Sequence, residues 1–298
     1  MFSVSVDYDN DGDKDLFITS HTNGNRLFKK TNNGLVNVTV AAGFVEENFN
    51  TYGASWGDFN NDGCLDVYIS NRNEAQSFIT NLFYKNNCDG TFTEVTNDVG
   101  LSNAPALSFC SGFFDFNNDG WQDIYVANDK SFSNFLYKNN GNGTFTDVSE
   151  SSNTNISIDA MSVTIADYDY DNNFDIYVTN APDDFATNAG GARLLKNSGD
   201  GIFFDVASQT GVELDSWCWG ASFFDAENDS ELDLYVACSY DGSNGFPSYA
   251  FYQGNNDLFN TPSNVGFANN NFLSYSTAIG DFDNDGVADI AVNNQEAI

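Results

Sequence analysis

Short segments of β-branched and aromatic residues recur along the chain, and turn-rich polar stretches separate them. Segments such as DLFITS, DVYISN, DIYVAN and DIYVTN have the composition that favours β-strands. No segment shows the 3.6-residue apolar spacing of an amphipathic helix. The pattern therefore predicts an all-β protein.

An acidic motif of twelve residues recurs along the chain, and its last residues are the start of one of these strands. It occurs six times, at steps of 51 to 58 residues, and its copies begin at Asp7, Asp58, Asp115, Asp167, Asp225 and Asp281. A strand-like segment such as CSGFFD precedes the loop, and a third segment (NLFYKN), a turn rich in Asn and Gly, and a fourth segment (TFTEVT) follow it. Four short antiparallel strands per repeat at this period predict the blade of a β-propeller.

The repeats divide the chain into a single predicted propeller domain, 1–298. Its blades are expected near 1–45, 46–101, 102–154, 155–212, 213–268 and 269–298. The sixth repeat has only its first two strands, so the last blade is predicted to be incomplete. We expect either a fragment of a larger propeller or an open one, whose exposed strand edge would favour association.

Composition and charge exclude several classes of function. The 298 residues include 43 acidic and 10 basic ones, for a net charge of −33, which disfavours nucleic acids and anionic membranes as partners. No apolar run approaches the roughly 20 residues of a membrane span, and no signal peptide is visible. The single histidine, His21, argues against a histidine metal site and a Ser–His–Asp triad, and it is expected to be a surface residue.

The loop chemistry points to calcium. Oxygen-bearing side chains stand at loop positions 1, 3, 5 and 9, with Gly or a substitute at position 6, and position 7 can add its backbone carbonyl. Six or seven hard oxygen ligands suit Ca²⁺, whereas Mg²⁺ prefers strict octahedral geometry and Zn²⁺ prefers His or Cys. An EF-hand is rejected because position 12 is Ile or Val in every loop and a strand follows it.

Up to six Ca²⁺ ions are therefore predicted, and they would neutralise much of the acidity. Loop five, with Glu227 and Ser230, is the weakest site, and the sequence leaves open whether it binds. The predicted ligand positions are Asp7, Asp9, Asp11, Asp13 and Asp15; Asp58, Asn60, Asp62, Cys64 and Asp66; Asp115, Asn117, Asp119, Trp121 and Asp123; Asp167, Asp169, Asp171, Asn173 and Asp175; Asp225, Glu227, Asp229, Glu231 and Asp233; and Asp281, Asp283, Asp285, Val287 and Asp289. Without metal these crowded carboxylates oppose folding, so cation binding should stabilise the fold.

These motifs resemble a known family, the FG-GAP/VCBS repeats, which also form the integrin α-subunit propeller. The strings GNRLFKKTNNGLVNVTVAAGF and NLFYKNNCDGTFTEVTNDVGL resemble repeats of the ASPIC/UnbV and cartilage acidic protein type. The resemblance covers nearly the whole chain and implies a secreted or cell-surface β-propeller, often seven-bladed, with Ca²⁺ in the loops between first and second strands. The family's C-terminal ASPIC segment is absent.

Four of the five cysteines stand at strand ends that antiparallel neighbours bring together. The sequence predicts the disulfides Cys64–Cys88 and Cys218–Cys238 and leaves Cys110 unpaired. Two disulfides would indicate an oxidising compartment, and the alternative is five reduced cysteines.

Partner binding is predicted on the face opposite the acidic loops, where the loops between second and third strands diverge most. The candidate residues, for which an ordinary loop role is the alternative, are Trp217, Asp183, Asp184, Tyr240, Asp241 and Phe246. Three functions remain open. They are an extracellular Ca²⁺-dependent scaffold that recognises a protein or glycan, a polysaccharide lyase or glycosidase on the same fold, and an architectural module that joins further blades or domains of a longer surface protein.

Overall fold

A computed structural model gives the fold of the chain. It describes residues 3–46, 48–72, 80–101, 106–130, 132–181, 191–238, 249–255, 258–262 and 273–295. The chain forms two compact units, Met1–Glu150 and Ser151–Ile298. Within the described ranges, no helix has the length and apolar character needed to cross a membrane.

The first unit contains three four-stranded antiparallel sheets, blades one to three, in each of which neighbouring strands follow one another in the chain. Blade one has β1 (Ser3–Val6), β2 (Asp15–Ile18), β3 (Arg26–Thr31) and β4 (Gly34–Asn37). Blade two has β5 (Thr51–Gly57), β6 (Asp66–Asn71), β7 (Leu82–Asn86) and β8 (Phe92–Glu94). Blade three has β9 (Ser108–Phe114), β10 (Asp123–Asn128), β11 (Phe135–Asn139) and β12 (Phe145–Asp147).

The second unit contains blades four and five, with four strands each, and two strands of blade six. Blade four has β13 (Ala160–Ala166), β14 (Asp175–Asn180), β15 (Arg193–Asn197) and β16 (Phe203–Asp205), followed by one helical turn, α1 (Ala207–Thr210). Blade five has β17 (Cys218–Phe224), β18 (Asp233–Cys238), β19 (Tyr249–Asn255) and β20 (Leu258–Asn260). Blade six has β21 (Leu273–Gly280) and β22 (Asp289–Gln295).

The hydrophobic core lies between adjacent sheets. The second strands β6, β10, β14 and β18 are buried at every position, because both of their faces are covered. Phe17 of blade one packs edge-on against Trp56 of blade two, with ring centroids 5.5 Å apart. Phe59 of blade two packs between Phe83 of its own blade and Phe145 of the neighbouring blade. Within each unit, neighbouring sheets are thus stabilised by apolar layers that they share.

A glycine turn follows the fourth strand of blade one and that of blade two, and each turn contacts the next blade. In the turn that follows blade one, the Ala42 carbonyl accepts the N–H of Phe92 of β8 over 2.8 Å, and Gly43 follows with φ +92°. A Cβ atom at Gly43 would lie 2.4 Å from the Phe92 carbonyl oxygen, so this contact requires glycine. Gly100 repeats the arrangement against Phe145.

The all-β fold class predicted from the sequence is confirmed, with short antiparallel blades of the expected strand content. In blade six the described residues form two strands, which agrees with the predicted incomplete repeat. The helical turn α1 was not predicted, because four residues are too few to produce a helical period in the sequence.

Candidate metal-binding loops

The first aspartate of every loop closes the loop on itself. Its Oδ1 accepts the backbone N–H of position 5 and its Oδ2 accepts that of position 6, over 2.7–3.1 Å. One oxygen of position 5 then accepts the N–H of position 7, for example Asp13 to Asp11 over 2.9 Å. The aspartates of a loop are therefore drawn toward one centre by the backbone itself.

The loop backbone turns through two left-handed residues. Position 6, which the sequence analysis identified, has φ between 67° and 89° in Gly12, Gly63, Gly120, Asn172, Ser230 and Gly286. Position 4, which it missed, has φ between 55° and 60° in Asn10, Asn61, Asn118, Tyr170, Asn228 and Asn284. The recurring Asn was the available signal, because Asn tolerates the left-handed region better than most residues.

Position 9 holds a carboxylate that joins the loop to two strands and is buried in loops one to five. Its Oδ2 accepts the N–H of position 2 over 2.8–3.4 Å. In blades one to five its Oδ1 accepts an N–H of the third strand over 2.7–2.9 Å. Burial raises the pKa of Asp66 and Asp123 to about 7, and that of Asp175 to about 8. A carboxyl group that is buried so deeply calls for a proton or a nearby cation.

The surroundings of the position-3 residues indicate whether a cation can bind among the loop carboxylates. The Oδ1 atoms of Asp9 and Asp169 are buried and have no hydrogen-bond partner among the described residues. The side chain of Asp169 is only 1% exposed. Carboxylate oxygens of positions 1, 3 and 9 come within 4.8 Å of one another in loops one and four. An unpartnered buried carboxylate oxygen is costly, and a bound cation would satisfy it, so this donor set fits a divalent metal.

A lysine ammonium from the third strand lies beside these same carboxylates. Lys29 Nζ contacts Asp9 Oδ2 and is 3.0 Å from Asp11 Oδ2, and these hydrogen bonds raise the pKa of Lys29. Lys196 Nζ contacts Asp169 Oδ2 and is 3.8 Å from Asp171 Oδ2. In loops one and four a positive charge of the protein itself therefore faces the convergent carboxylates.

Loops two, three and five differ from these at position 3, whereas loop six has an aspartate there, Asp283, as loops one and four do. Asn60 and Asn117 stand there in loops two and three, and each donates its amide to Oδ2 of the position-5 aspartate, over 2.8 and 3.0 Å. In loop five the Gln253 amide donates to Glu227, whose pKa is raised to about 7, chiefly by burial. Asp281, Asp283 and Asp285 of loop six lie close enough to share an ion. The six loops thus share one backbone geometry but differ in their charge balance at position 3.

The family model of the FG-GAP-like repeat matches residues 7–69 and 115–178, and each match runs from the first aspartate of one loop to the end of the next loop. This chain carries FG-GAP-like repeats. The resemblance predicted from the sequence is confirmed at this level. No curated protein matches the sequence.

Solved structures similar to the chain have propeller-like folds. A lectin from Agrocybe aegerita that recognises non-reducing terminal N-acetylglucosamine is 18% identical, with a TM-score of 0.55 over 97% of this chain and 73% of that chain. BBS1N, solved in complex with ARL6DN, is 10% identical, with a TM-score of 0.58 over 97% of this chain and 75% of that chain. At these identities the likeness extends to the fold alone.

Consecutive acidic loops are hydrogen-bonded to each other through position 4. Asn10 Nδ2 donates to the Gly63 carbonyl of the next loop over 2.8 Å, and Asn61 Nδ2 donates to the Gly120 carbonyl over 3.0 Å. Asn228 makes the same bond to Gly286 over 3.0 Å. In loop four Tyr170 replaces Asn, and its hydroxyl bonds to the backbone of Leu232 in loop five. Position 4 therefore has a second role, since it links neighbouring loops.

A second link between repeats comes from the last residue of the third strand. Asn86 Nδ2 donates to the Tyr8 carbonyl of blade one over 2.8 Å and to Leu65 of its own loop over 3.0 Å, and Asn139 does the same one blade later. Blade five has Gly254 instead, and a cavity of about 150 Å³ lies beside it, lined in part by Tyr168, Asp169 and Leu232. An asparagine cannot replace Gly254 without movement, because its Cβ would lie 2.5 Å from the Leu232 carbonyl oxygen.

The structure brings together both predicted cysteine pairs. The Sγ atoms of Cys64 and Cys88 are 2.11 Å apart, and those of Cys218 and Cys238 are 2.15 Å apart. The first disulfide joins loop two to the turn between β7 and β8, so these two connections share one end of the sheet. Its sulfurs lie near Asp62 but are bonded to each other and offer no thiolate to a metal. Cys110 remains a half-buried thiol in β9.

The opposite end of the sheets contains an aromatic and basic cluster that sequence reasoning missed. Arg72 pairs with Asp129 over 2.5 Å and lies over the rings of Tyr52 and Phe109, 5.5 and 5.1 Å from their centroids. His21 stacks on Tyr52 at 4.0 Å, so it is more than a surface loop residue, and burial lowers its pKa. The repeat places a large residue at both Tyr52 and Phe109, but it does not indicate Arg72 or His21, which lie in the diverging loops after the second strands.

The predicted ligand-face residues are only partly described. Trp217 is half-buried immediately before β17. The remaining candidates, Asp183, Asp184, Tyr240, Asp241 and Phe246, lie outside the described residues, and the binding role of all six stays a prediction.

Proposed function

We propose that this FG-GAP-like chain is a Ca²⁺-stabilised propeller scaffold that recognises a protein or glycan outside the cell. The proposed metal binding rests on one observation. The Oδ1 atom of Asp169 is buried among convergent carboxylates and has no hydrogen-bond partner among the described residues. The repeat loops, propeller-like blades and rigid packing between sheets favour a scaffold that holds binding loops in place.

Calcium is the cation that these loops suit best. Positions 1, 3, 5 and 9 offer only carboxylate or amide oxygens, and the loop brings them together without a histidine or a free thiolate. Hard oxygen donors on a loop that can adjust its ligand number favour Ca²⁺ over Zn²⁺ and over the strictly octahedral Mg²⁺. The bound ion would neutralise carboxylates that otherwise repel each other and would complete the hydrogen-bonded loop.

Recognition is assigned to the face opposite the loops. The cluster of Tyr52, Arg72 and Phe109 forms a rigid surface at that end of the first unit, because an ion pair and ring contacts hold its side chains in place. The lectin and BBS1N illustrate that proteins with similar folds bind a sugar and a protein, respectively. We infer that this chain binds through its loops there, with no role for nucleic acid in view of its charge of −33.

The paired cysteines support a secreted or cell-surface location for the protein. Structural disulfides form and persist in oxidising compartments. Here two such pairs join strand ends and turns within one blade each. Five reactive thiols in protein isolated from its source would contradict this location.

The decisive experiment compares the melting temperature in EDTA with that in Ca²⁺. At a Ca²⁺ concentration one hundred times Kd, each occupied site adds about 2.7 kcal/mol. For a chain of this size the melting temperature should therefore rise by at least about 5 °C. Mg²⁺ at the same concentration is the control and should give a smaller rise. Equal melting temperatures in EDTA and Ca²⁺ would refute the metal part.

The recognition part is tested with the same preparation on glycan arrays and on libraries of extracellular protein domains, with and without Ca²⁺. Ca²⁺-dependent binding that is lost when the 180–191 and 238–249 segments are replaced by Gly-Ser linkers supports the proposal. Binding that survives both replacements would contradict a role for these two segments, and binding that also survives Arg72→Ala would contradict the assigned face. Cleavage of a bound glycan would instead favour the enzymatic alternative.

A further inference from the structure

One strand position in each complete blade brings a nitrogen donor to the acidic loop. In blade one, the backbone N–H of Lys30 donates to the position-9 aspartate, Asp15. The strand position in question is the one just before it, Lys29. The residues at this position are Lys29 in β3, Lys85 in β7, Lys138 in β11, Lys196 in β15 and Gln253 in β19. The fold therefore places one such side chain per blade beside the loop where the carboxylates converge.

Whether this residue forms an ion pair at loop position 3 depends on the charge of the side chain at that position. In loops one and four, which have an aspartate at position 3 and belong to complete blades, the lysine contacts that aspartate and the one at position 5. Where position 3 is asparagine, the lysine forms no ion pair there. Lys138 lies 3.3 Å from Asp119, at position 5, and Lys85 makes no ion pair among the described residues. Gln253, which has no charge, bonds to Glu227.

We propose that Lys29 and Lys196 are built-in counter-ions of loops one and four, which neutralise the position-3 aspartate in the metal-free protein and compete with the divalent cation for it. This inference rests on the proposed Ca²⁺ binding. It assigns a role to residues outside the ligand set and makes the six loops unequal. Without metal, the two lysines would stabilise the folded state of loops one and four. With metal, they would lower the cation affinity of these two loops.

The physical reason is electrostatic. In loop four the ammonium group of Lys196 faces Asp169, whose side chain is almost fully buried and whose second oxygen has no partner among the described residues. A buried carboxylate without a counter-charge is strongly disfavoured, so one positive charge stabilises the empty loop. A divalent ion at the same oxygens would be repelled by the ammonium group, which must then move into solvent. Its four-carbon chain, one-third exposed, permits this.

The test uses full-length protein and three single variants, Lys29→Gln, Lys196→Gln and the matched control Lys85→Gln. Glutamine is chosen because blade five already has Gln253 at this position. Backbone amide signals of Gly12, Gly63 and Asn172 report loops one, two and four separately during a Ca²⁺ titration, since each amide donates to its loop's first aspartate. Melting temperatures in EDTA report the metal-free state.

We expect the Ca²⁺ midpoint of loop one to fall by about twofold to fivefold in Lys29→Gln, the size expected for a partly exposed ion pair. Loop four should respond in the same way in Lys196→Gln, and in both variants loop two should be unchanged. Both should melt at a lower temperature than Lys85→Gln in EDTA, and a variant that folds only with Ca²⁺ is the extreme form of this result.

Two results separate failure of this inference from failure of the proposed function. If the amides shift with Ca²⁺ but the midpoints of loops one and four are unchanged or higher in the variants, the lysines are ordinary ion pairs and the counter-ion role is wrong. If no amide of the unmodified protein shifts with Ca²⁺, the proposed metal binding itself is wrong.

Discussion

At the scale of single residues, the aspartate at loop position 9 has a structural role that is independent of any metal. Both carboxylate oxygens of Asp66 accept backbone amides, from Phe59 over 3.0 Å and from Asn86 over 2.8 Å. The side chain is fully buried, so no water can replace these bonds. Position 9 therefore ties the loop to the third strand, in addition to its predicted role as a ligand.

Replacing Asp66 by asparagine should separate these roles. The new amide would point N–H groups at a backbone N–H, leaving a buried donor unsatisfied at a cost of about 2–3 kcal/mol in the free energy of unfolding. The measurement is urea unfolding in EDTA at pH 8. Asp13→Asn is the control, because Asp13 is exposed and is predicted to offer only its carbonyl, and it should change stability by less than about 0.5 kcal/mol. Equal stability of the two variants in EDTA would mean that position 9 acts only through a metal.

The residue types in the sequence identified most of the ligand positions of each loop, but not the hydrogen bonds that link one loop to the next. The spacing of Asp7, Asp9, Asp11 and Asp15 predicted convergence, and the structure brings three of these carboxylates together. The bond from Asn10 to Gly63 could not be predicted, because it depends on how closely two blades pack. Tyr170 could not be recognised as a substitute for Asn, because its hydroxyl reaches a different backbone group.

At the scale of elements, the glycine turns after β4 and β8 determine how closely the next blade can approach. Gly43 combines a positive φ with a Cβ direction that points into the Phe92 carbonyl. Its amide also closes the turn, donating to Val40 over 3.1 Å. The strings AAGF and DVGL are a visible sequence signal for a turn, but the packing that requires glycine lies between two sheets and is read only from the structure.

Alanine at Gly43 should therefore cost more than alanine at a glycine that shares only the backbone conformation. Gly90 is the matched control, because it has φ +85° and open space where the methyl group of an alanine would lie. Gly90→Ala should lose about 1–2 kcal/mol from left-handed strain. Gly43→Ala should lose about 1–3 kcal/mol more, because the blades must separate around the new methyl group. Chemical denaturation in Ca²⁺ measures both, and equal losses would show that the interblade contact yields without cost.

At the scale of the whole molecule, burial and net charge act in the same direction on the metal-free protein. Asp66, Asp123 and Asp175 have pKa values of about 7 to 8 in the fold, whereas an unfolded aspartate titrates near 3.9. Between about pH 4 and pH 8 the folded chain therefore binds more protons than the unfolded chain. The free energy of unfolding must then fall as pH rises through this window. The charge of −33 adds a repulsion that also grows as carboxyl groups ionise.

This linkage predicts opposite pH profiles with and without calcium. In EDTA the melting temperature should be highest near pH 4 and fall toward pH 8, because the buried carboxyl groups lose their protons. In saturating Ca²⁺ the fall should disappear or reverse, because ionised carboxylates are the form that binds a cation. Repeating the EDTA series in about 1 M NaCl separates the two causes, since that salt shortens the Debye length to about 3 Å and screens surface repulsion but not buried groups. A melting temperature in EDTA that rises from pH 5 to pH 8 would mean that these aspartates are ionised in the metal-free fold, and their burial would then need a positive partner other than a metal.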